Sequence, residues 1–370
     1  MIPLYDNGNG DKRRPGQPDP QHHTNPDSGL GSPRSVRSDA SAAPTSVGHD
    51  DYRKKGGKAM NRRMAVVLAA AVLSTVVVLG REGTAQAAGA QYVEGTTALD
   101  STSPKVAVAE CPAGMAVLGG AASINGGEGQ VVIQAAFPEY DGAVFKHQFV
   151  VKAVEEPADE TAKSWSVTAG AYCTSATVPV YQSASSAFNS DPIKTVPVEC
   201  PEGTKVVGMG GEVSKSDATD PAAIVGSIPA AKVVFQGFEA DPDLTMVTAR
   251  ATEVGGPLGG GFSGSWKVTA VAACGYAYAF EGLELRSNVE LGGGFLEGET
   301  ESKLYIGCSV GKKIIAAAST IEDEAMGQWY LDRFSRNNAL RQGIYAEAHR
   351  NPELGNVLVN QAGYVICVKS

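Results

Sequence analysis

The sequence predicts an all-β protein of three pseudo-repeats, packed β-prism-like around a pseudo-threefold axis. Three observations predict it. Six cysteines fall into three brackets, Cys111 to Cys173, Cys200 to Cys274 and Cys308 to Cys367. Each bracket opens with the same spacing, a glycine three positions after the cysteine and an apolar pair six and seven after it. Between the cysteines run short segments rich in Val, Thr, Phe and Tyr, broken by Gly, Pro, Asp and Ser, which is the pattern of strands and turns.

The elements follow in order. In the first repeat, strands are expected over Lys105–Glu110, Met115–Ile124, Gln130–Phe137, Val144–Val154 and Trp165–Cys173. The opening turns are Cys111-Pro112-Ala113-Gly114, Cys200-Pro201-Glu202-Gly203 and Cys308-Ser309-Val310-Gly311. Pro presets φ and Gly accepts φ > 0, so the first two read as tight turns. Repeats 1 and 2 also close alike: Trp165 and Trp266 each stand eight residues before a cysteine, in Ser-Trp-x-Val-Thr-Ala. Upstream, Tyr92 and Tyr181 each precede their opening cysteine by 19 residues. The middles align Phe137-Pro138 with Ile228-Pro229, and Val144-Phe145 with Val234-Phe235. The third repeat shares Gln342-Gly343 with Gln236-Gly237 but lacks the closing Trp. So many matches in register mark a repeat architecture. Glu322–Leu340 is the one stretch with a sustained helical period, and it reads as a short helix or an irregular strand pair.

The boundaries follow from composition. Residues 1–59 are dominated by Asp, Gly, Pro, Ser, Arg and His, too polar to offset the entropy of ordering, so they read as a disordered extension. Residues 60–87 combine Asn61-Arg62-Arg63, an apolar run over 64–80 and Ala85-Gln86-Ala87, the layout of a signal peptide with its cleavage site. A signal peptide beginning at Met60 implies that residues 1–59 arise from a misassigned start. The alternative is a membrane anchor over 64–80 with the repeats outside. The β repeats then span 88–176, 177–278 and, divergent, 279–370.

An even set of cysteines after an export signal reads as disulfides, not metal ligands, and the repeat selects one pairing within each bracket. Each bridge closes a loop long enough to constrain the unfolded chain by roughly 4 kcal/mol. The location expected is extracellular. Residues 88–370 hold 19 basic and 32 acidic side chains, a net charge of −13, which disfavours nucleic acid as a partner.

Catalytic signatures are absent. Beyond residue 87 the chain has two histidines, His147 in an alternating strand and His349 beside a turn-like Arg350-Asn351-Pro352. Neither has a nucleophile motif around it. No zinc or calcium motif occurs, so no metal and no cofactor is expected. Asp217–Pro221 and Glu322-Asp323-Glu324 read as solvated turns, and Gly259–Gly261 and Gly292–Gly294 as loops, not phosphate cradles. One segment stands out: Gln328-Trp329-Tyr330-Leu331-Asp332-Arg333-Phe334. Trp329, Tyr330, Asp332 and Arg333 combine aromatic and planar polar groups suited to sugar or peptide recognition. The competing reading places Trp329 in the core, in lieu of the missing closing Trp.

The pattern Cys-Pro-x-Gly-x-x-Val-x-Gly-Gly…Trp-x-Val-Thr-Ala-x-x-x-Cys resembles repeats in uncharacterised secreted proteins of Streptomyces-type actinobacteria. The second repeat departs from it at Met209. At motif level the chain is also similar to vitelline membrane outer layer protein, a β-prism of three repeats, and that resemblance implies a prism and a glycan ligand. The alternative packing is three tandem small β-sandwiches. The expected function is a non-enzymatic extracellular binding protein for glycans. The alternatives are a structural cell-surface or spore-envelope protein and a glycosidase-type enzyme.

Overall fold

The computed structural model describes residues 90–127, 129–141, 144–155, 163–175, 178–215, 232–254, 262, 264–290, 301–323, 329–336, 343–350 and 359–370. The extension, the signal segment, Asp217–Pro221 and both glycine runs lie outside them. No helix among the described residues is long and apolar enough to cross a membrane.

Eighteen strands are described. Repeat 1 holds β1 (Gln91–Thr96), β2 (Lys105–Glu110), β3 (Ala116–Asn125), β4 (Val131–Asp141), β5 (Val144–Glu155) and β6 (Ser166–Thr174). Repeat 2 holds β7 (Val180–Ser185), β8 (Ile193–Glu199), β9 (Thr204–Ser214), β10 (Val233–Ala240), β11 (Met246–Glu253) and β12 (Lys267–Tyr276). Repeat 3 holds β13 (Glu284–Glu290), β14 (Glu301–Gly307), β15 (Lys312–Asp323), β16 (Trp329–Arg336), β17 (Gly343–Arg350) and β18 (Val359–Lys369). The five strands expected in repeat 1 are all present, within a few residues. The described residues of 322–340 are strand, the end of β15 and all of β16, which bears out the irregular strand pair and not the helix; a β-bulge in β16 interrupts the alternation there.

The strands form three six-stranded antiparallel sheets, and each sheet is shared by two repeats. The 1/3 sheet has the order β1-β6-β3-β16-β17-β14, the 1/2 sheet β2-β5-β4-β9-β12-β7, and the 2/3 sheet β13-β18-β15-β10-β11-β8. Each repeat therefore gives its first, third and sixth strands to one sheet and its second, fourth and fifth to the next. This is the prism-like arrangement, not three tandem sandwiches. The third strand of one repeat meets the fourth strand of another at each seam: β3 with β16, β9 with β4, β15 with β10.

Register makes the pseudo-symmetry explicit. A bulge recurs in β3, in the β9–β12 pairing and in β15, at Leu118, Val207 and Ile315. Next to it, Gly119, Gly208 and Ala316 converge on the axis. A methyl on Gly119 would stand 2.7 Å from the Ala316 Cβ, and one on Gly208 would overlap the Leu118 carbonyl oxygen. These positions take the smallest residues because three backbones meet there.

The opening turns are alike in all three repeats. Met115, Thr204 and Lys312 each donate their N–H to the carbonyl three residues back at 3.0 Å, with Gly114, Gly203 and Gly311 at φ 81°, 79° and 82°. Proline occupies the first turn position, and the same turn forms in repeat 3 with Ser309 there. The disulfides form as expected, with Cα separations of 5.6, 5.6 and 5.8 Å. Each ties the end of a repeat's second strand to its sixth, and so fastens two sheets.

The register corrects the expected alignment of the middles. Val234-Phe235 corresponds to Val132-Ile133, not to Val144-Phe145, because both pairs sit just before the bulge of a fourth strand. Gln236-Gly237 lies in a fourth strand and Gly343 in a fifth, so their likeness is accidental. Ile228-Pro229 lies outside the described residues.

Candidate functional site

Trp329 and Tyr330 are fully buried, which bears out the core reading of Trp329 and corrects that of an exposed aromatic patch. Trp329 occupies the β16 place held by Val131 in β4 and Val233 in β10. The closing position of Trp165 and Trp266 is Val359 in repeat 3. A Val–Trp pair has become a Trp–Val pair, which keeps the core filled. Tyr330 packs with Val132, Val154 and Val234. In repeats 1 and 2 a buried lysine lies on the closing tryptophan, Lys105 at 4.8 Å and Lys194 at 4.4 Å from the ring centre. Each indole N–H donates to a glutamate, Glu155 at 2.5 Å and Glu253 at 2.8 Å. Repeat 3 replaces lysine, glutamate and tryptophan together by Ser302, Arg350 and Val359.

Repeat 3 instead carries a charged network on the outer face of the 1/3 sheet. The bulge that holds Gln134 and Gln236 in the other repeats holds Asp332, whose carboxylate meets the Nδ1 of His349 on β17. His349 Nε2 stands 3.4 Å from Glu301. Lys303 bridges Glu301 at 2.5 Å and Glu347 at 3.3 Å, and Arg333 pairs with Glu347 at 3.0 Å. The hydrogen bond from Glu347, then Lys303, holds Glu301 down at about 2, while burial pushes Glu347 up. Burial works against the proton on His349, but Asp332 and the two glutamates outweigh it and raise its pKa. His349 is thus a half-buried strand residue, not the turn residue the sequence suggested. Donor atoms of Glu301, Glu347 and His349 lie within 4.8 Å of one another. Lys303 and Arg333 already neutralise that set, so a cation would have to displace Lys303. Glu322, of the acidic run, pairs with Arg250 at 2.9 Å.

Arg333 links this network to a groove of about 290 Å³ at the seam of repeats 1 and 3. Successive strands of the 1/3 sheet set Glu94, Gly170, Ala121, Ser335, Tyr345 and Tyr305 in one row. Ala121 forms the floor, and the Tyr92 phenol lies over the adjacent Gly170. Tyr92 makes one wall, lying against Tyr172 at 4.9 Å between ring centres, with the Arg336 guanidinium 5.3 Å over its face. Tyr345 makes the other, 42% exposed and edge-on to Tyr305 at 5.7 Å. Asn125, Thr168 and Arg333 add polar groups at one side. Burial raises the Tyr92 phenol far above its ordinary range, so Tyr92 stays a neutral hydrogen-bonding group.

The two equivalent seams are filled. In the 1/2 sheet the positions of Ser335, Gly170 and Tyr345 hold Phe137, Val271 and Val150, which cluster with Ala135. In the 2/3 sheet the positions of Ser335 and Gly170 hold Glu239 and Tyr364, and the tyrosine hydroxyl donates to the glutamate at 2.6 Å. The groove is open because Ser335 is small where Phe137 and Glu239 stand in the other seams, while Gly170 leaves room for the Tyr92 phenol that walls it.

Neither a protein-family model nor a curated protein sequence matches the chain.

Proposed function

We propose that this is an exported, disulfide-stapled, non-enzymatic protein that binds carbohydrate in the groove between repeats 1 and 3. One observation carries the reading: of three equivalent seams, this one alone among the described residues is left open and lined with tyrosine, arginine, hydroxyl and amide groups. Aromatic faces beside planar polar side chains suit sugar rings, which present apolar C–H faces and peripheral hydroxyls. The motif-level likeness to vitelline membrane outer layer protein points the same way. Three disulfides fit an oxidising exterior. Binding is favoured over glycoside hydrolysis because hydrolysis needs two facing carboxylates, and Glu94 is the single carboxylate among the described lining residues.

The test is a glycan array probed with residues 88–370 and with Ser335→Phe, which restores the filling seen in the 1/2 sheet. The wild type is expected to bind at least one glycan. Ser335→Phe should lose at least tenfold in affinity while its melting temperature changes by only a few degrees. Absence of any glycan signal, or binding indifferent to Ser335→Phe, overturns the proposal.

A further inference from the structure

We propose that the groove takes a linear, uncharged polysaccharide chain laid across the β-strands, contacting Tyr92 at one end and Tyr305 at the other. The inference rests on the carbohydrate reading above and adds the ligand's shape, direction and charge.

Shape and direction come from the register. The row from Glu94 to Tyr305 crosses all six strands of the 1/3 sheet at one level. At about 4.8 Å between strands it runs roughly 24 Å, the length of several linked sugars. Its floor is low at Ala121 and Ser335, with the Tyr92 phenol lying over Gly170 on one side and Tyr345 and Tyr305 standing on the other. A single sugar would touch one wall. A chain laid along the row reaches both. Tyr305 extends the row one strand beyond Tyr345: it lies over Gly343, where any Cβ would overlap its phenol oxygen, and keeps 38% of its surface exposed.

The charge pattern selects an uncharged chain. Arg333 pairs with Glu347 and Lys303 with Glu301, and the Arg336 guanidinium lies over the Tyr92 ring with Glu94 on the same strand as that ring. Arg333, Arg336, Glu94 and Glu347 sum to zero, so the groove offers no net positive field to a polyanion. The net charge of −13 over residues 88–370 adds long-range repulsion. The polar lining is of hydroxyl and amide type, suited to hydroxyls: Ser335, the tyrosine phenols, and Asn125, whose amide donates to the Thr168 hydroxyl at 3.3 Å.

The experiment is a printed array of linear oligosaccharides two to six sugars long, with neutral gluco-, manno-, xylo- and chito-oligomers set against uronate oligomers of equal length. Affinity for the preferred neutral series should rise at least tenfold between two and five sugars. Uronates of the same length should bind at least tenfold more weakly. Tyr305→Ala should abolish the gain from length without changing affinity for the two-sugar ligand. A flat length series, or preference for uronates, overturns this inference and leaves carbohydrate binding standing. No signal on any glycan, or binding that survives Ser335→Phe, removes the carbohydrate reading itself.

Discussion

Glu212 shows at the scale of one residue what the seams cost. It sits in β9 where the 1/2 sheet joins repeats 1 and 2, 6% exposed, with the less deeply buried Lys152 at 4.0 Å. Burial pushes its carboxyl up from 4.5 to about 7 against the pull of Lys152 and Lys267, and burial also pushes Lys152 down. Both partners move toward neutrality, so desolvation outweighs their attraction. The folded pKa lies above the unfolded one. The contribution of this carboxyl to stability is therefore complete below about pH 4.5 and disappears as pH rises through 7, a change of no more than about 3 kcal/mol. Urea unfolding at pH 5 and pH 8 checks this. Glu212→Gln should be the more stable chain at pH 8, and its advantage should shrink or vanish at pH 5. An advantage equal at both pH values contradicts the account.

At the scale of elements, each disulfide holds a second strand to a sixth strand across a prism corner. Cys308–Cys367 closes a separation of 59 residues. Replacing both cysteines by serine should cost 2–5 kcal/mol, mostly through the unfolded chain, and lower the melting temperature without changing the strand content seen by circular dichroism. A loss below about 1 kcal/mol would mean that the remaining contacts already close that corner. These brackets, the Pro-x-Gly turns and the strands of repeat 1 were legible because each rests on local chemistry: a cysteine spacing, a glycine at positive φ, an alternation of apolar side chains. The fourth strands of repeats 2 and 3 were less legible. Their bulges at Gln236 and Asp332 break the alternation, and stretches of unequal length separate them from the cysteine landmarks. That is why Trp329 drew attention as an exposed aromatic when it is core, and why Ser335 drew none. Half of the groove was within reach: the residues three before each closing cysteine are Gly170, Val271 and Tyr364, small in one repeat only. Of the residues singled out beforehand, Arg333 lines the groove and Asp332 orients its neighbouring network.

For the whole molecule, the decisive fact is that no repeat owns a sheet. Repeat 1 cut out as 88–176 would hold two three-stranded half-sheets whose seam edges and inner faces have lost their partners. It should fail to fold cooperatively, giving a collapsed amide spectrum by NMR, even with its disulfide intact. A well-dispersed spectrum from the isolated repeat would contradict shared-sheet packing. The seam between β3 and β16 differs from the other two in sequence separation, since it joins repeat 1 to repeat 3 and not to its neighbour in the chain. The groove on it comes into being only when β16 and β17 dock against β3. A ligand lying there would act as a clasp between the first and third repeats. At a hundredfold excess over its Kd it would add about 2.7 kcal/mol against opening, at the closure that no run of backbone spans directly.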